Sequence, residues 1–73
     1  MSKLQEKRKA AGLSQSQLAG RAELSVRTLQ HYEQGMLDIN KAAAVTVWRL
    51  ARALECPVED LLELAPDAEL LEV

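Results

Sequence analysis

Phenylalanine is absent from these 73 residues, and Tyr32 and Trp48 are the only aromatic side chains. A core must therefore be built mostly from Leu, Val and Ala. Cys56 is the only cysteine and His31 the only histidine, so an internal disulfide is excluded and no metal-ligand set is offered. No apolar run approaches the ~18 residues of a membrane span, and the opening MSKLQEKRKA is too charged for a secretory signal. These absences point to a cytoplasmic protein with no membrane association. Also lacking are a nucleophile–base pair, paired carboxylates in a pocket and a phosphate-cradling glycine loop, which argues against an enzyme and leaves no cofactor implied. There is no internal repeat, no low-complexity segment and no strand-like alternation. What remains is one small helical domain. A chain this short hides only roughly 60% of its unfolded surface, so its stability depends on local helical packing or on a partner.

Basic residues are missing from the last quarter of the chain. Residues 1–54 carry all nine Lys and Arg against Glu6, Glu23, Glu33 and Asp38, a net charge of +5. Residues 55–73 carry seven acids and no base, a net charge of −7. Such polarity between segments suits a nucleic-acid face opposed to an acidic tail, although two solvated ends would produce the same count. The division expected is a DNA-binding domain over residues 1–65 and an acidic tail over 66–73, the tail being available for dimer or partner contact.

The segment 14–35, SQSQLAGRAELSVRTLQHYEQG, contains two separately capped helices joined by a turn too short for them to diverge. Ser14 and Gln17 form a capping-box pair, Ser25 caps the next helix, and Gly35 closes it in a left-handed conformation. Elsewhere the periodicity predicts helices over 3–11 (capped by Ser2 with Gln5 reaching back, ended by Gly12), 15–22, 26–34 and 41–54. A fifth helix starts at Pro57 and is ended by Pro66, and AELLEV is either a further short helix or a frayed tail. Ile39 is expected as a core plug between the third and fourth helices. The expected fold is all-α, a compact five-helix bundle with a helix-turn-helix at helices 2 and 3.

Helix 3 divides into two sides. Leu29 and Tyr32 face the core, so Val26, Arg27, Gln30, His31 and Gln34 share the other side. Solvated helices usually carry long charges paired four residues apart. Here Arg, Gln and His can instead donate in the plane of a base edge. Arg27 suits guanine O6 and N7, Val26 a thymine methyl, and His31 guanine or phosphate. Gln30 lies nearer the helix edge and is not taken as a contact. Gln15, with the free N–H groups at the start of helix 2, suits phosphate, as do Thr28, Gln34 and Lys41. Arg21, Arg49 and Arg52 are explained equally well as a solvated face. Arg8, on the inner side of helix 1, and Glu33, next to Tyr32, are placed to form a bidentate pair tying helix 1 to the end of helix 3.

The run GLSQSQLAGRAELSVRTLQHYEQG, with an upstream Arg and the downstream LARALECPVEDLLEL, resembles the lambda-repressor/Cro-like helix-turn-helix family over roughly residues 3–64. The resemblance implies five helices, helix 3 in the major groove of double-stranded DNA, and homodimers on paired half-sites. By position it assigns base reading to Val26, Arg27 and His31, phosphate contact to Gln15, Thr28 and Gln34, and the structural ion pair to Arg8 and Glu33. Two features depart from the family pattern. Glu23 stands where a turn glycine is common, and the connection from Gly35 to helix 4 is about three residues longer. The function expected is a transcriptional repressor on a palindromic operator. The alternative is an antitoxin-like protein that holds a partner protein through its acidic C-terminal segment.

Overall fold

Serine caps open the first three helices, as their spacing in the sequence implies. The computed structural model describes residues 2–63, and every regular element among them is helical. α1 spans Lys3–Ala10, α2 Gln15–Arg21, α3 Val26–Gln34 and α4 Ala44–Leu54, with 3-10 turns at Ile39–Lys41 and Val58–Asp60. Ser2 Oγ accepts from Gln5 N at 3.0 Å, Ser14 Oγ from Gln17 N at 3.0 Å, and Ser25 Oγ from Thr28 N at 3.1 Å. The Ser14 cap is reciprocal, because Gln17 Oε1 accepts from Ser14 N at 2.8 Å. At α1 the cap runs one way only, and Gln5 does not reach back.

All four helices stop by the same device. A left-handed residue follows each last turn: Gly12, Glu23, Gly35 and Glu55, with φ of 72°, 59°, 80° and 54°. The next N–H then returns to a carbonyl five residues earlier: Leu13 to Arg8, Leu24 to Ala19, Met36 to His31 and Cys56 to Ala51. This double closure satisfies the last carbonyls and reverses the chain within two residues. Glycine fits the conformation without strain, whereas glutamate there costs about 1–2 kcal/mol. Glu23 is exposed and pairs only loosely with Arg49 at 3.9 Å, so little else depends on its side chain. Glu23→Gly relieves that strain against about 0.4–1 kcal/mol of added freedom in the unfolded chain, so a rise in Tm of a few degrees is expected. An unchanged or lower melting temperature would contradict the strain.

Leu4, Leu18, Leu29, Leu50 and Leu61 are fully buried, one from each helix and one from just after the second 3-10 turn. Ala19, Ala22, Ile39, Val47 and Ala51 complete the core, and the small side chains of α2 let its neighbours approach closely. α2 packs on α3 and α4, α1 on α3, and the second 3-10 turn on α4. α3 is thus held mainly from the α1 and α2 side. Cys56 is half-buried, and burial pushes its thiol up, with the Asp60 carboxylate adding to this and the Lys7 ammonium opposing it. Folding holds this proton more tightly, so the thiol's contribution to stability fades as pH rises through its folded value.

Two boundaries differ from the sequence expectation. Helix 4 begins at Ala44 and not at residue 41, because Asp38 Oδ1 caps Asn40 N at 2.9 Å and starts a 3-10 turn instead. That turn buries Ile39, after which Ala42 is extended, with φ −67° and ψ 155°. The expected fifth helix is, within the described residues, the single 3-10 turn at Val58–Asp60, with Pro57 at the cap position. Asn40 supplies the physical reason. Its side chain accepts from Glu63 N at 2.8 Å and donates to Glu63 O at 2.9 Å, taking the backbone groups a continuing helix would use. Among the described residues the fold is therefore four α-helices and two 3-10 turns in place of five helices. The stop at Pro66, the AELLEV segment and the boundary between residues 65 and 66 lie outside the described residues.

Candidate nucleic-acid interface

α3 owes its attitude to a buried charge pair. Arg8 Nε donates to Glu33 Oε2 at 2.7 Å and Arg8 Nη2 to Glu33 Oε1 at 3.1 Å. Arg8 Nη1 donates to Leu13 O at 2.9 Å. The guanidinium therefore ties α1, the corner before α2 and the end of α3 together in one plane. Its bidentate geometry fixes angle as well as distance. Both residues are buried, so each charge depends on the other for compensation.

Glu33 is also the only acid on α3, and its charge is spent inside the fold. The outer arc of the helix, Val26, Arg27, Gln30, His31 and Gln34, carries no negative charge. Arg27 and Gln34 are exposed, while Val26, Gln30 and His31 are half-buried. Among the described residues, no ion pair or side-chain hydrogen bond engages Arg27 or His31. An acid-free arc of hydrogen-bonding side chains on a rigidly mounted helix of nine residues is suited to the edge of a polyanion. Its length, about 14 Å, and its unpacked outer side match what a major groove admits.

The residues expected at phosphates are Thr28 and Gln34 on α3, Gln15 at the start of α2 and Lys41 in the first 3-10 turn. Thr28 is half-buried at the first turn, and Ser25 Oγ donates to its Oγ1 at 2.9 Å, which leaves the Thr28 hydroxyl proton free to point outward. Gln34 and Lys41 are exposed, at the end of α3 and in the first 3-10 turn. Gln15 is held more firmly than its sequence position suggests. Its Nε2 donates to Glu33 Oε1 at 3.1 Å, and its Oε1 accepts from Gln30 Nε2 at 3.1 Å. Gln30, which sequence reasoning set aside as an edge residue, is thereby joined to the buried pair. The only sequence signal for this was that Gln15 opens α2 while Gln30 and Glu33 lie one turn apart on α3. On α4, Val45 and Trp48 are exposed, with Arg52 stacked 5.1 Å from the Trp48 ring centre.

Residues 4–61 match the sequence profile of the family described as helix-turn-helix. The chain belongs to that family, in its lambda-repressor/Cro branch. The crystal structure of the restriction-modification controller protein C.AhdI from Aeromonas hydrophila is similar to this helix-turn-helix protein, with a TM-score of 0.73 and 32% identity. The match covers 82% of this chain and 86% of that one. No curated protein matches the sequence significantly. The protein is therefore a helix-turn-helix DNA-binding domain of a transcription-regulator family, not an enzyme. No helix among the described residues is long and apolar enough to cross a membrane.

Proposed function

We propose that this helix-turn-helix protein is a sequence-specific repressor that acts in the cytoplasm by occupying a palindromic operator as a homodimer. Val26, Arg27 and His31 read base edges from α3, and Gln15, Thr28, Gln34 and Lys41 hold phosphates on either side. Residues 1–65 form the DNA-binding domain, and the acidic residues 66–73 are left for contact with the second copy or a protein partner. The observation that carries this proposal is the acid-free outer arc of α3, with Arg27 unengaged and the helix's one carboxylate neutralised beneath it. A single α3 reads too few base pairs for useful selectivity. Two copies of the fold place two such helices on half-sites about 34 Å apart, which is the spacing of the family's docking geometry. The likeness to a controller protein favours a gene regulator over an antitoxin.

Selection of bound duplexes from a random pool, with light scattering on the complex, tests this. A palindrome with half-sites one helical turn apart, bound by two copies, is expected. Affinity for the recovered operator falls about a thousandfold or more between 50 and 200 mM salt, because phosphate contacts release counterions. A pool that yields no enriched sequence, or binding that is flat with salt, would contradict the proposal.

A further inference from the structure

The buried pair below α3 dictates which way two surface amides point. A carboxylate only accepts hydrogen bonds, so the Gln15 group 3.1 Å from Glu33 Oε1 must be its NH2. The Gln15 oxygen then faces the other way, and the group 3.1 Å from it must be the Gln30 NH2. Reversing either amide would set oxygen against oxygen, so the usual ambiguity of glutamine orientation is removed at both steps. What Gln30 has left is its Oε1 and its second N–H, an acceptor and a donor side by side. Gln30 sits on the outer arc of α3, one turn from Val26 and from Gln34.

We propose that Gln30 is a specificity-determining residue that selects adenine, held in its reading orientation by the relay Arg8–Glu33–Gln15. Adenine is the base whose major-groove edge presents an N6 donor beside an N7 acceptor, the complement of the edge that Gln30 has left. Guanine offers two acceptors there, and the Gln30 oxygen would oppose one of them. The assignment rests on α3 being the DNA-facing helix and deepens that reading by naming one base. Gln15 has a dual part, because one of its N–H groups is committed to Glu33 while the other stays available to a phosphate.

The test is duplex selection with the full chain and with Gln30→Ala, Gln15→Ala and Arg27→Ala, each first confirmed folded by its thermal transition. The parent is expected to require adenine at one position of each half-site. Gln30→Ala lowers that preference by roughly 5- to 150-fold and leaves the other positions unchanged, as loss of one bidentate contact would. Gln15→Ala blurs the same position, because Gln30 is then free to turn. If Gln30→Ala leaves every preference intact while Arg27→Ala blurs one, the adenine assignment is overturned and the DNA-facing reading of α3 stands. If Gln15→Ala weakens all sequences equally without touching the adenine position, the relay is overturned. A parent chain that enriches nothing overturns both the assignment and the reading beneath it.

Discussion

Glu33→Ala is expected to lower the stability of the folded chain by about 3–5 kcal/mol, because it strands the Arg8 guanidinium inside the protein. For a domain of this size each kcal/mol corresponds to roughly 4–8 °C, so the thermal transition moves down by at least about 12 °C or disappears at room temperature. The reason is geometric. Glu33 accepts from Arg8 Nε and Nη2, and its side chain is 1% exposed, so no solvent replaces it. Arg8→Ala strands the opposite charge and is expected to cost about as much. Replacing both partners together by apolar residues, as in Arg8→Met with Glu33→Leu, is expected to be milder than either single change. A loss below about 1 kcal/mol for the single variants would show that the pair does not anchor α1 to α3.

Arg27→Ala behaves in the opposite way. The side chain is exposed and, among the described residues, makes no hydrogen bond or ion pair, so stability stays within about 0.5 kcal/mol of the parent. Affinity for the selected operator falls by roughly 1–3 kcal/mol for each half-site, about 2–6 kcal/mol for a dimer on a full palindrome. The preference for one base, guanine by the chemistry of the guanidinium fork, is lost with it. Measuring melting temperature and operator binding on the same samples separates the two variants. One removes the mounting of the reading helix, the other removes its reading atoms. If Arg27→Ala binds the operator as tightly as the parent does, Arg27 is not a contact.

The parts of this fold that were legible in the sequence are those written in local chemistry. Ser2, Ser14 and Ser25 mark three helix starts, and Gly12 and Gly35 mark two ends, because capping is settled by a few neighbouring residues. The left-handed Glu23 was legible only through the family's turn pattern, and Glu55 gave no local sign, since a glutamate does not advertise positive φ. The two missed boundaries have different causes. The start of helix 4 is set by the local Asp38 cap on Asn40 N, which apolar periodicity does not register. The missing fifth helix turns on the Asn40–Glu63 hydrogen bonds, which span 23 residues and leave no periodic trace. The Ala-rich run 42–44 has high helix propensity, yet the chain spends it on an extended residue and an uncapped start.

The candidate interface shows the same division. The side of α3 that faces outward follows from the positions of Leu29 and Tyr32, and the Arg8–Glu33 pair follows from spacing and family likeness together. The coupling of Gln15 and Gln30 does not, because it needs the actual angle between α2 and α3. An edge residue became a structural neighbour of the buried pair only once that angle was known.

Where DNA touches the chain decides whether α3 is the reading helix. An isotope-labelled sample is titrated with its selected operator, and backbone amide shifts are followed residue by residue. The largest changes are expected at residues 14–16, 25–31, 34 and 41, with α4 around Trp48 and Arg52 little affected by the DNA itself. Changes centred on α4, with the amides of Val26, Arg27 and His31 unmoved, would contradict the assignment of α3 as the helix that meets DNA.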